Sequence, residues 1–191
     1  MIILTMVNEK QNMRSAGRVE QCLMRIARKD LSALEELYHE TSAAIYGFAL
    51  SILKNVEDAQ DVMHDCFVTI HGAAEGYRPM GKPLAWMMTI TKNLCRRRLN
   101  AKNRFADVPE QDWEPYLEGD SGISAEDRLI IAECLKPLSE EERQIVVLHA
   151  AAGMKHREIA EVMEMPVSTV LSKYNRAIRK CKRVYEGDER R

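Results

Sequence analysis

Hydrophobic residues recur along this chain at helical spacing. The clearest run is Ala59, Val62, Met63, Cys66, Phe67 and Ile70, at i, i+3, i+4, i+7, i+8 and i+11, which lines one face of a helix. Asn55 precedes the run as a cap, and Glu57 and Asp58 fill its first turn, where acids suit the helix dipole. Upstream, residues 18–29 predict a first helix with Val19, Cys22, Leu23 and Ile26 on one side. Ser32 and Glu35 have capping-box spacing. The helix they open carries Leu34, Leu37, Tyr38, Ile45, Tyr46, Phe48, Ala49, Ile52 and Leu53, a face wide enough for the centre of a bundle. After a loop over 72–82, Pro83 suits the first position of a fourth helix. Its inward residues are Leu84, Met87, Met88 and Leu94.

Residues 105–127 break the pattern with Pro109, Pro115, Gly119 and Gly122 and contain no Lys or Arg among many acids, which predicts a linker. Helical spacing resumes at 124–135. Ser139 and Glu142 form a second capping box, and Ile145, Val146 and Leu148 follow. Gly153 ends that helix. Residues 156–163 predict a short one, and Pro166 marks a boundary that suits the first turn of a last helix. There Val170, Tyr174, Ala177, Ile178 and Cys181 face inward.

Charge changes the picture at three places. In the last helix Ser168, Thr169 and Ser172 come first, and Lys173, Arg176, Arg179 and Lys180 follow. A helix-turn-helix needs that order, with N-terminal residues at base edges and cations on phosphates. A solvated basic face on a helical hairpin has the same composition. In the fourth helix Lys92, Asn93, Arg96 and Arg97 form a second stripe, and every charged residue over 92–104 is basic. Lysine and arginine neutralise phosphates, and asparagine pairs a base edge. Tyr77 in the preceding loop and Trp86 offer rings to an unpaired base; capping the bundle and core packing are the plain alternatives. On the third helix, Asp58, Asp61 and Asp65 stand opposite the apolar face with His64 beside them. That stripe fits a solvated face, and equally a surface that meets a basic partner.

Over the whole chain these charges nearly cancel, to −1 in 191 residues, so the net value hides the basic helices. With 46% hydrophobic and 30% charged residues, the composition is that of an ordinary globular protein, and the mostly helical patterns predict an all-α fold. The five cysteines are widely spaced and form no Cys-x-x-Cys pair, which predicts reduced thiols and no structural zinc. His39, His64, His71, His149 and His156 stand isolated on helical patterns, and there is no Gly-rich phosphate loop. The expectation is a protein without catalytic residues, metal or cofactor. No apolar stretch approaches the roughly 20 residues of a membrane span, so a cytoplasmic protein with no stable membrane insertion is expected.

Four stretches, LSALEELYHETSAAIYGFAL, NVEDAQDVMHDCFVTIH, KPLAWMMTITKNLCRRRL and PLSEEERQIVVLHAAAGMKHREIAEVMEMPVSTVLSKYNRAIRKCK, together resemble the bacterial RNA polymerase sigma factors of the extracytoplasmic-function group. The resemblance implies two helical domains joined by an acidic flexible linker, the second containing the helix-turn-helix. The expected divisions are a loose tail (1–17), a region 2-like domain (18–104), the linker (105–123), a region 4-like domain (124–185) and a final tail (186–191). A tether lets two DNA surfaces engage together, so affinity gains through effective concentration.

The resemblance also implies roles. Asp58, Asp61, His64 and Asp65 bind the clamp helices of the polymerase largest subunit. Tyr77, Lys92, Asn93, Arg96 and Arg97 capture the −10 element of promoter DNA. Ser168, Thr169, Ser172, Lys173, Arg176 and Arg179 read the −35 element. An anti-sigma protein is the further partner expected. His64 stands where the family usually has glutamine, Arg97 where aspartate is common, Glu164 at a usual turn glycine and Leu171 at a usual lysine. A helix-turn-helix regulator that does not act as a sigma factor is the competing reading; it leaves the acidic stripe and first basic helix without a task.

Overall fold

The computed structural model describes residues 16–102 and 131–185. The predicted linker (105–123) and final tail (186–191) lie outside the described residues, as does most of the predicted first tail. The described residues form helices and turns with no strand. The helices are α1 (16–26), α2 (Ser32–Leu53), α3 (Val56–Ala73), α4 (Pro83–Lys102), the end of α5 (131–135), α6 (Glu140–Ala150), α7 (His156–Met163) and α8 (Val167–Tyr185).

α1 stops three residues before the predicted end, and Lys29 takes a left-handed conformation (φ 68°). Asp30 organises the reversal. Its carboxylate accepts from Arg25 Nε at 2.8 Å, from the Ser32 amide at 3.0 Å and from Ser32 Oγ at 2.7 Å. The Ser32–Glu35 capping box is therefore absent. Ser32 is the first helical residue, and its hydroxyl proton goes to Asp30.

α2 is central, as its wide apolar face predicts. Leu37, Ile45, Phe48 and Ala49 are fully buried, and the whole last turn is enclosed. Thr41 and Ser51 enter this core by donating to the Leu37 and Phe48 carbonyls at 2.7 and 2.6 Å, so neither hydroxyl is left unsatisfied. α3 follows after Lys54 and Asn55, with the Asn55 side chain accepting from the Asp58 amide at 2.9 Å. Its buried face is the predicted one.

Between α3 and α4, Cys66 Sγ lies 3.3 Å from Thr91 Oγ1, whose own proton goes to the Met87 carbonyl. Burial pushes the Cys66 thiol up to about 11 and the Cys95 thiol up to about 12. Cys134 of α5 and Cys181 of α8 face each other, each thiol near the other's carbonyl oxygen (3.6 and 3.4 Å).

The N-terminal and C-terminal halves share one buried cluster. Phe48, Ile45 and Met87 belong to it with Ile145, Leu148, Ile159 and Val162. α6 packs on α2 and α7 on α4. At the first contact Gly47 faces Val147, whose Cγ1 lies 3.6 Å from where a Cβ on Gly47 would sit.

Candidate nucleic-acid interface

The Ser139–Glu142 capping box forms at the start of α6. The serine hydroxyl accepts from the Glu142 amide, and the Glu142 carboxylate accepts from the Ser139 amide at 2.9 Å. α7 begins at His156 as predicted, with Glu158 accepting from the Lys155 amide. Pro166 sits just before α8, not within it. Its carbonyl accepts from the Thr169 and Val170 amides at 3.0 and 3.1 Å. The turn between α7 and α8 keeps its shape without glycine. Glu164 is left-handed (φ 56°), and the Met165 amide reaches back to the Ala160 carbonyl at 3.1 Å. That is the Schellman pattern, whose left-handed position normally takes glycine.

On α8, Ser168, Thr169, Ser172, Lys173 and Arg176 line one shallow, open concavity. Arg179 lies outside it, with Nε on the Asn175 carbonyl at 3.2 Å. Ala177 takes the inward position, and the expected inward Ile178 is 41% exposed, about 100° further round the helix. Acids of α6 hold the cations from beneath. Lys173 Nζ is 2.5 Å from Glu141, Arg176 Nη1 is 3.8 Å from Glu142, and Lys180 donates to Glu142 at 2.6 Å. Glu142 is 1% exposed. Burial pushes its carboxyl up; the hydrogen bonds from Lys180 and the Ser139 amide and the Lys180 and Arg176 charges outweigh this and leave it below the usual carboxylate range. The result is a row of hydroxyls and cations, with Ser168, Ser172 and Arg176 exposed and Thr169 and Lys173 half-buried, above two carboxylates of α6, the chemistry that meets base edges and phosphates.

α4 divides its stripe between two settings. Asn93, Arg96 and Arg97 are exposed. Lys92 is 8% exposed. Its ammonium donates to the Val162 carbonyl of α7 at 2.7 Å and lies 3.3 Å from Glu164. Arg96 Nη2 is 3.7 Å from the same carboxylate, and Lys82 pairs with Glu161. Tyr77 is also engaged. Its hydroxyl donates to Glu20 at 3.0 Å, and its ring packs on Trp86 at 5.0 Å. Burial and the Glu20 hydrogen bond push the phenol well up.

On α3, Asp61, His64 and Asp65 are exposed, while Asp58 is 5% exposed. Arg98 of α4 bridges Asp58 Oδ1 at 2.9 Å and Asp61 Oδ2 at 2.5 Å. The stripe thus has a buried end tied to α4 and an exposed end.

Several residues escaped the sequence reading. Arg98 was part of a basic run, and only the fold shows that α3 satisfies it. Glu142 is both the cap that its spacing from Ser139 predicts and the counter-ion of α8. Glu164 stood out only as a charge at a glycine position. His149 and His156, isolated along the sequence, stack on each other at 4.6 Å, and each meets Tyr174 edge-on at 4.8 Å. Among the described residues no group of three or more His, Cys, Asp or Glu is placed to hold a metal ion, and no helix is long and apolar enough to cross a membrane.

Residues 37–105 match the family model for sigma-70 region 2, and residues 128–181 match that for sigma-70, region 4. The chain is 23% identical over 173 residues to the ECF RNA polymerase sigma factor SigK of Mycobacterium tuberculosis (strain ATCC 25618 / H37Rv), covering 87% of this chain and 92% of that protein. It is 24% identical over 164 residues to SigK of Mycobacterium ulcerans (strain Agy99), covering 82% and 88%. Its fold resembles CnrH in complex with the cytosolic domain of CnrY, with a TM-score of 0.61 at 22% identity over 90% of this chain and 99% of the other. It also resembles the sigma factor RpoE bound to the anti-sigma factor NepR from Bartonella quintana, with a TM-score of 0.67 at 18% identity over 81% and 98%.

Proposed function

Because the chain belongs to the sigma-70 family of RNA polymerase sigma factors, in its extracytoplasmic-function group, we propose that it works as an alternative sigma factor with three separate working surfaces. It binds core RNA polymerase and directs initiation at promoters with matching −35 and −10 elements. The observation that carries this reading is the order of its parts, region 2 before region 4, with hydroxyls and cations lining one open concavity on the last helix.

In this reading Ser168, Thr169, Ser172, Lys173 and Arg176 meet the −35 element, and Arg179 adds a phosphate contact at the rim. Asn93, Arg96, Arg97 and Lys92 meet the −10 element. Tyr77 braces the loop before α4 through Glu20 and Trp86. Asp61, His64 and Asp65 face the polymerase clamp helices, and Asp58 holds that face in register through Arg98. Residues 18–104 and 124–185 act as two binding units joined by the acidic segment 105–123. The role is regulatory, performed in the cytoplasm where the polymerase works, and needs no catalytic residue of its own. An anti-sigma protein is the expected inhibitor, in keeping with the complex of RpoE with the anti-sigma factor NepR.

A regulator that binds DNA without joining polymerase leaves the region 2 half unexplained. The discriminating test is gel filtration of the full chain with purified core polymerase. Co-elution at a one-to-one ratio supports the sigma reading, and separate elution favours the plain regulator.

A further inference from the structure

Both ends of the loop before α4 meet on one oxygen of α1. Glu20 Oε1 accepts from the Tyr77 hydroxyl and from the Gly81 amide, each at 3.0 Å, although these residues lie 57 and 61 positions further along the chain. The Tyr77 ring packs on Trp86 at 5.0 Å, and its amide donates to the Ala74 carbonyl at 3.0 Å. Gly81 is left-handed (φ 68°), a conformation that suits glycine. Lys29, in the turn after α1, pairs with Glu75 of the single turn Ala74–Gly76, a second tie to the same segment. Between the pinned ends stand Arg78, Pro79 and Met80, all exposed, Met80 by 76%.

Ordering a loop costs conformational entropy. Here folding meets that cost before DNA arrives, so the tip is already set when a strand docks. Hydrogen bonds to a carboxylate are stronger than neutral ones, and both anchors draw on the same oxygen. A carboxylate repels phosphate, so Glu20 adds nothing to the attraction of DNA; what it adds is geometry. The tip has the chemistry to use it, since a methionine packs on aromatic rings and an arginine binds phosphate. Glu20 also lies outside residues 37–105, which match sigma-70 region 2.

We propose that Glu20 is a positioning residue for −10 recognition: by pinning Tyr77 and Gly81 it fixes the tip Arg78, Pro79 and Met80 ahead of α4 and so sets which −10 sequences are preferred. This rests on the reading of α4 and its preceding loop as the −10 surface.

The test loads core polymerase with the full chain, wild type or variant, and offers single-stranded DNA of random sequence. Strands held by core alone are subtracted, and the rest are sequenced. Fluorescence anisotropy then gives each holoenzyme's affinity for the strand that the wild type enriches most and for the unselected library. The ratio of the two is the preference. Glu20→Ala should lower the preference at least about tenfold, the lower end of what one hydrogen bond to a charged acceptor contributes. Its affinity for the unselected library should hold or rise, because a negative charge is gone. Glu20→Gln keeps an oxygen that accepts from both anchors and should restore most of the preference. A preference unchanged in Glu20→Ala overturns the proposal, as does a Glu20→Gln protein as deficient as Glu20→Ala. Affinities that fall together for both DNAs overturn it too, by showing a role in folding alone. Should Glu20→Ala fail to co-elute with core, Tyr77→Phe carries the test: it removes one of the two hydrogen bonds and keeps the ring on Trp86, and an unchanged preference there overturns the proposal. Arg96→Ala separates the underlying reading. If it alters binding while Glu20→Ala does not, only the role of Glu20 fails; if neither does, α4 is not the −10 surface.

Discussion

Arg98 of α4 donates Nε to Asp58 of α3 at 2.9 Å and reaches Asp61 with Nη2. One guanidinium thus ties the start of the acidic helix to the end of the basic one. Asp58 is 5% exposed, and Asp65, two turns on, is open to solvent. The two acids therefore answer differently to mutation. Asp58→Ala removes one of the two carboxylates that hold the Arg98 guanidinium and should cost about 1.5–3 kcal/mol, the range for a charged hydrogen bond, read as a shift in urea midpoint. Asp65→Lys should leave that midpoint unchanged and weaken co-elution with core polymerase. An Asp65→Lys protein that unfolds early, or that still binds core normally, contradicts the assignment of this face.

Acid should weaken the C-terminal half in two stages. His156 is held below its ordinary value of 6.5 by burial and by the neighbouring His149. Its Nε2 is buried without a hydrogen-bond partner, and the first residue of a helix is a poor place for a cation. Fold stability from the neutral ring is complete above the unfolded value. It declines as pH falls below 6.5, because the unfolded chain takes the proton first. Glu142, held below its ordinary 4.5, follows the same sign lower down: its contribution is full above 4.5 and is lost as pH falls through the folded value. Thermal melts at stepped pH should show both stages. His156→Gln should remove the upper stage and spare the lower.

Glu142→Gln removes the counter-ion shared by Lys180 and Arg176 while leaving a group able to cap α6. The expected loss is about 1–3 kcal/mol in the urea midpoint of the full chain. Glu141→Gln removes only the pairing of an exposed glutamate with half-buried Lys173 and should cost under about 1 kcal/mol. Equal losses in the two variants would contradict the account of Glu142 as the base of α8.

Arg176→Ala should weaken binding to −35 duplex DNA by about 1 kcal/mol or more and lower the slope of log affinity against log salt by about 1. Ser172→Ala should alter the preference among duplex sequences and leave that slope unchanged, because a hydroxyl releases no counterion. Fluorescence anisotropy at several salt concentrations separates the two. An unchanged slope for Arg176→Ala removes that residue from the DNA surface.

Local chemistry was legible in the sequence wherever one element decided it. The period of α3, the Asn55 cap, the Ser139–Glu142 box and the bounds of α7 all follow from residues within one or two turns. The Ser32–Glu35 box failed because Asp30, just outside the motif, competed for the same hydroxyl. Ile178 failed because an apolar residue one step from a buried alanine faces wherever the helix turns it. Lys92 and Arg98 lie further from reach. Each looked like one more cation in a basic stripe, and only packing against α7 and α3 distinguishes the stored cation and the structural one from their exposed neighbours. Long-range pairing of charges leaves no periodic trace along the chain.

The most direct measurement is start-site mapping of transcripts made by purified core polymerase on genomic DNA fragments, with and without the full chain. The account predicts new, defined start sites that appear only with the chain and share two upstream elements. It also predicts that these starts are lost with Arg176→Ala when the upstream element is weakened. Transcripts identical with and without the chain, under conditions where other sigma factors direct initiation from the same core preparation, would contradict it.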